Sequence, residues 1–137
     1  MQLHSFFNSS TSYRVRIALA LKGLAYEYLP VNLRTQEQRA PDYVARNPSA
    51  GVPLLTDGDT RLSQSLAIID YLDATHPEPR LIPADTLERA RVLELSDAIS
   101  CDIHPSTTCA SCAICRKCWA RATNRRTPGT TIGSAKA

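Results

Sequence analysis

The rhythm of apolar and polar residues changes several times along the chain, and each change marks an expected element. "MQLHSFF" opens with an apolar stretch suited to a strand, and "NSSTS" follows with a cluster of hydroxyls that suit the start of a helix. "YRVRIALALKG" is rich in helix formers and ends in Lys22-Gly23, a basic last turn before the residue best able to take a left-handed cap. "YEYLPVNL" (26–33) reads as a second strand, and Pro30, which lacks a ladder donor, directs it to a sheet edge. In "VPLLTDGDTRLS" two short strands flank Asp57-Gly58, a strong hairpin signal. "SQSLAIIDYLDATHP" then spaces Leu66, Ile69 and Leu72 for a helix, with Ser63 or Ser65 available as its cap and Pro77 as its stop.

The resulting order is β-α-β-loop-β-β-α. A strand, a crossover helix and a second strand form a right-handed parallel unit, and a hairpin followed by a helix completes a small α/β sandwich of the thioredoxin-like kind. Beyond it, "HPEPRLIPAD" carries Pro77, Pro79 and Pro83, a stiff linker composition that suggests a domain boundary. "DTLERARVLELSDAISCDIH" restarts a helix, with Asp85 and Glu88 as a capping-box pair and Val92, Leu95, Ile99 and Ile103 three or four apart. The expected organisation is α/β: a thioredoxin-like domain over 1–79, a linker and the first helix of an all-α domain over 80–105, and a tail over 106–137.

Charge divides the chain at the same place. Of its 137 residues, 1–105 carry 10 Lys and Arg against 13 Asp and Glu, whereas 106–137 carry 6 basic and no acidic residues. The formal charge of +3 therefore comes from the tail, and neither nucleic acid nor a membrane is implied as a partner of the folded part. No apolar run approaches the roughly 18 residues of a membrane span, and the opening lacks the charged and apolar regions of a secretory signal, so a cytoplasmic protein is expected. Four of the five cysteines, Cys109, Cys112, Cys115 and Cys118, lie in the tail, and Cys101 alone precedes them.

That tail has no Leu, Val, Phe or Tyr with which to build a core. Thiolates at such close spacing can converge on one metal, yet iron–sulfur runs lengthen the last interval and zinc sites pair two separated knuckles. A shifted reading frame offers another origin. Cysteine codons read out of phase become leucine, methionine or valine codons, and the stretch from Ser106 can then read NNLRVLRYL, a helix with leucines three and four apart. The tail is therefore expected to be frameshifted or disordered, with no metal site.

"SSTSYRVRIALALKG", "NPSAGVPLL", "QSLAIIDYLDATHPEPRLIP" and "CDIHP" together resemble zeta-class glutathione transferases, the maleylacetoacetate and maleylpyruvate isomerases. The likeness covers about residues 1–105. It implies a thioredoxin-like, glutathione-binding domain followed by the start of an all-α domain, with the chain truncated in the latter. It implies a thiolate held near the start of the first helix, with Ser9, Ser10, Thr11 and Arg14 matching the family's catalytic motif; Thr11 stands where many members have cysteine and keeps a hydroxyl donor. A helix N-terminus with hydroxyl donors lowers a thiol's pKa, while the same hydroxyls also serve as plain caps; the two roles are compatible. Val52 and Pro53 match the segment whose proline is cis and whose preceding backbone pairs with the cysteinyl part of glutathione. Gln64 and Ser65 match the clamp on the γ-glutamyl end, at a helix start where a carboxylate is well placed. Gln38 falls near the loop that meets the glycyl end, and His104 matches a position lining the site from the second domain.

The implied activity is glutathione-dependent cis–trans isomerisation of a small maleyl substrate, maleylacetoacetate or maleylpyruvate, in the catabolism of aromatic compounds. Glutathione is the covalent nucleophilic cofactor and is not consumed. At most weak turnover is expected to survive truncation, and the sequence leaves open whether the family's homodimer does. A rival reading is a glutathione-binding, non-catalytic module with a metal-binding Cys-rich tail. A dithiol oxidoreductase is disfavoured, because "NSSTSYR" holds no cysteine where a redox pair would sit.

Overall fold

A computed structural model describes residues 1–103 of the chain. The elements follow the order β1 (Gln2–Ser5), α1 (Ser10–Leu21), β2 (Glu27–Pro30), a 3-10 turn (Glu37–Arg39), α2 (Pro41–Val44), β3 (Leu54–Asp57), β4 (Thr60–Ser63), α3 (Ser65–Thr75), α4 (Thr86–Asp97) and a π-helical stretch (Ala98–Ile103). The four strands form one sheet in the order β2-β1-β3-β4. β1 runs parallel to β2 and antiparallel to β3, and β3 pairs antiparallel with β4. This is the expected thioredoxin-like sandwich, and Pro30 does close an edge strand.

The period-two alternation of β1 and β3 divides the core into two layers. Leu3 and Leu55, which face each other across the sheet, pack with Val15 and Leu19 of α1 and Ile68 and Leu72 of α3. On the other face Leu54 packs with Val31 and with Tyr43 of α2. Full burial of each leucine or isoleucine contributes about 1.5–3 kcal/mol, so the α1–α3 layer is the larger stabiliser.

α1 ends as its Lys-Gly sequence foretells. Gly23 takes φ 64°, its amide bonds Ala20 O at 3.1 Å, and the Leu24 amide bonds Leu19 O at 3.0 Å, the two bonds of a Schellman cap. Lys22 at this helix end is 7% exposed, with its ammonium turned inward. The hairpin also differs slightly. Asp57 is the last strand residue, paired with Thr60, so the two-residue loop is Gly58-Asp59, with Gly58 at φ 56°.

α3 corrects two expectations. Neither Ser63 nor Ser65 caps it: Ser63 is held in β4 opposite Leu54, Ser65 is already helical and buried, and Gln64 occupies the cap position without a side-chain bond. Its buried face is Ser65, Ile68, Leu72 and Asp73, so Leu66 lies off the core and Ile69 at its rim. Asp85 caps α4 through the amides of Leu87 and Glu88, both at 3.0 Å.

The chain divides into two units, the first Met1–Val92 and the second starting at Leu93. In the second, the described residues are the end of α4 and the π-helical stretch, where Leu95, Ile99 and Ile103 are exposed. The four tail cysteines and the expected frameshift lie outside the described residues.

Candidate functional site

Where β1 hands over to α1, Ser9 takes extended backbone (φ −90°, ψ 118°), and its Oγ accepts the Ser12 amide at 3.2 Å. The expected cap therefore forms, and Ser9 O also accepts the Tyr13 amide at 2.8 Å. Thr11 lies one residue into the helix. Its Oγ1 stands 2.9 Å from Ser9 Oγ and donates to Val52 O at 3.1 Å. That last bond joins the helix start to a segment forty-one residues away. Ser10 and Arg14 belong to the same first turns of α1; Ser10 is exposed and Arg14 half-buried.

Val52 precedes β3, and the Val52–Pro53 bond is cis, as the resemblance led us to expect. The loop in front of it is braced from α2. Tyr43 Oη and Asn47 Nδ2 both donate to Gly51 O, at 2.6 and 2.8 Å. Burial pushes the Tyr43 phenol above its ordinary pKa, against the opposing influence of Asn47, so it stays a protonated donor. Asn47 is itself 3% exposed, and its Oδ1 accepts the Ser49 amide and hydroxyl at 3.2 and 2.7 Å. Sequence reasoning missed Tyr43 and Asn47. The dipeptide "NP" ahead of a small-residue loop was the available signal, since Asn side chains commonly organise such turns.

At the start of α3 Gln64 has φ 76°, ψ 114°, a region that costs a non-glycine residue about 1–3 kcal/mol. Its carbonyl opens the helix by accepting the Ile68 amide at 3.0 Å, and Ser65 beside it is 6% exposed. Gln38 sits on the 3-10 turn, half-buried, with a buried Oε1 that has no hydrogen-bond partner. Among the described residues no hydrogen bond joins Gln38 to Thr11 or Val52. His104 lies outside the described residues. Among those described, no group of three or more His, Cys, Asp or Glu residues could hold a metal ion.

Thus the structure brings Ser9, Thr11 and Val52 together by direct bonds. It places Gln64 and Ser65 at a second helix N-terminus and leaves Gln38 on a separate turn. Residues 1–74 match the model of the glutathione S-transferase N-terminal domain. The chain belongs to the glutathione S-transferase family. It is 50% identical over 108 residues to the maleylacetoacetate isomerase of Pseudomonas aeruginosa, covering 77% of this chain and 51% of that protein. It is 46% identical over 105 residues to a zeta-class glutathione S-transferase of Euphorbia esula, covering 77% and 47%. Among solved structures, a holo maleylpyruvate isomerase of the zeta class superposes with TM-score 0.74 at 48% identity, over 77% of this chain and 50% of that one. A maleylacetoacetate isomerase from Methylobacterium extorquens with bound malonate and glutathione gives TM-score 0.69 at 43% identity, over 77% and 50%. This glutathione S-transferase chain spans about half the length of the curated relatives it matches.

Proposed function

We propose that the chain binds glutathione where β1 leads into α1 and the Val52–Pro53 segment enters β3, and supports glutathione-dependent cis–trans isomerisation of a maleyl dicarbonyl compound such as maleylacetoacetate or maleylpyruvate, in the cytoplasm. The observation that carries this reading is the convergence of the capped α1 N-terminus on the Val52 backbone through Thr11. The donors present fit a tripeptide with two carboxylates and a sulfur. Two helix N-termini, at Ser10 and Ser65, offer amides and partial positive charge.

Each region then has a task. The first turns of α1, with Ser9, Ser10, Thr11 and Arg14, lower the pKa of a thiol placed over them, because an anion there meets the positive end of the helix dipole. The Val52 backbone, held by Pro53 and the Gly51 brace, aligns the cysteinyl peptide unit. Gln64 and Ser65 receive the γ-glutamyl carboxylate, and Gln38 meets the glycyl end. His104 belongs to the wall that excludes water from the substrate. Glutathione, when bound, would supply a thiolate for reversible addition to the cis double bond, its expulsion after rotation about the resulting single bond re-forming the double bond as trans. Donors that meet the negative charge developing on the substrate carbonyl oxygen supply the remaining stabilisation. On this reading 1–79 is the binding domain and 80–105 leads into a helical one.

Support comes from the zeta-class relatives and from the fit of the donors. The test is calorimetric titration of glutathione into the 137-residue chain, followed by spectroscopic assay of maleylacetoacetate and maleylpyruvate with and without glutathione. The half of the relatives' length present here carries the glutathione residues, so affinity is the primary readout. Saturable glutathione binding is expected; a chain that is folded by circular dichroism yet shows no affinity refutes the proposal.

A further inference from the structure

The hydroxyls at the start of α1 form an oriented chain. An amide can only donate, so the Ser12 N–H must give its hydrogen to Ser9 Oγ, and a carbonyl can only accept, so Val52 O must receive the Thr11 hydrogen. Thr11 has one hydroxyl hydrogen, and it is committed to Val52. The 2.9 Å contact between Ser9 Oγ and Thr11 Oγ1 is then a bond from Ser9 to Thr11. Reversing it would set two acceptors, Thr11 Oγ1 and Val52 O, against each other at 3.1 Å with no hydrogen between them.

One consequence bears on the chemistry of a bound thiol. Both hydroxyl hydrogens are spent inside the protein, so outward Ser9 and Thr11 present only oxygen lone pairs. A lone pair stabilises a thiol by accepting its S–H and does nothing for a thiolate. To act as a thiolate donor Thr11 would have to abandon Val52.

We infer that Thr11 is a positioning residue, not the thiolate donor. Its hydroxyl fixes the gap between the N-terminus of α1 and the Val52–Pro53 backbone, so that the helix amides and the strand entrance contact one ligand at once. The inference rests on the glutathione-binding reading given above, and leaves acidification of the sulfur to the rest of the α1 N-terminus.

The test compares Thr11→Val, which keeps the branched shape and removes the hydroxyl, with Thr11→Ser, which restores it. Affinity is measured calorimetrically for glutathione and for S-methylglutathione, which has no ionisable thiol, and the pKa of bound glutathione is followed by thiolate absorbance. Loss of one neutral hydrogen bond should weaken both ligands about fivefold. The two losses should match, the bound-thiol pKa should stay where it is in the wild type, and Thr11→Ser should recover the affinity. In the ligand-free chain, Thr11→Val should also speed amide exchange in the first turn of α1, an effect that does not depend on glutathione. A bound-thiol pKa that rises in Thr11→Val while S-methylglutathione binds normally makes Thr11 the donor and overturns the inference. Unchanged affinity for both ligands overturns it too. Wild-type chain that binds neither ligand sinks the glutathione reading itself, a result told apart from these by the unsubstituted control.

Discussion

The pair Lys22–Asp73 offers the sharpest perturbation of the fold. Lys22 Nζ lies 2.7 Å from Asp73 Oδ1, with the two side chains 0% and 4% exposed. The ammonium also donates to His76 O at 2.7 Å and Pro79 O at 2.9 Å, which uses all three of its hydrogens. Asp73 in turn accepts the Leu81 amide at 2.7 Å and the Ile82 amide at 3.0 Å. One buried pair therefore fastens the end of α1 and the last turns of α3 to the proline-rich segment beyond. Lys22→Met leaves two carbonyls without a donor and a carboxylate without its counter-charge, a class of change that costs about 3–5 kcal/mol. With a urea slope of about 2 kcal/mol per molar, the midpoint should fall by roughly 2 M. Burial alone pushes the Asp73 carboxyl up, but the hydrogen bond from Lys22 and those from the Leu81 and Ile82 amides pull it below its ordinary value. The carboxylate's contribution is then complete above the unfolded pKa of about 3.9 and is lost as pH falls through the lower folded value. The gap between wild type and Asp73→Asn should accordingly narrow in acid and stay constant from pH 5 to 8. Urea melts across pH 3 to 8 check both statements. A penalty for Lys22→Met under about 1 kcal/mol, the range of an exposed pair, would refute the reasoning.

Other outcomes follow from single residues. Ser9→Ala removes the α1 cap and should cost about 1 kcal/mol in urea unfolding. Gln64→Gly relieves a positive φ and should hold or raise stability by up to about 1 kcal/mol while weakening glutathione binding; calorimetry and a urea melt on the same sample give both. His4 is held below the ordinary imidazole value by burial first and by the Arg46 charge second. The unfolded chain therefore binds more protons just below pH 6.5, so stability should rise with pH up to about 6.5, and His4→Leu should flatten that slope in urea melts.

Much of this architecture could be read along the chain because its signals are local. The hydroxyls at 9–12, the Lys-Gly end of α1, the Asp-Gly hairpin and Pro30 at an edge each act within one turn or one strand pair. α3 shows where local spacing misleads: Leu66, Ile69 and Leu72 fit a helix, yet of the three only Leu72 lies on the buried face, beside Ser65, Ile68 and Asp73, the last bonded to Lys22. Pairings across the fold leave no periodic trace. Lys22 looks like an ordinary basic residue at a helix end until Asp73 is placed beside it, and Asn47 looks like a loop residue until its amide reaches Gly51 O. The candidate site was legible only as residue types at positions that match the resemblance, of which direct bonds join Ser9, Thr11 and Val52. The direction of its hydrogen bonds, which separates a thiolate donor from a positioning group, needed coordinates.

The claim at the centre is electrostatic: the start of α1 keeps a bound sulfur ionised near neutral pH. Titrating the thiolate absorbance of glutathione in the presence of saturating chain reads this directly. A pKa for the bound thiol below about 7.5, against about 8.5 for an ordinary thiol, is the predicted result. A bound thiol that titrates at the same pH as free glutathione would contradict the account.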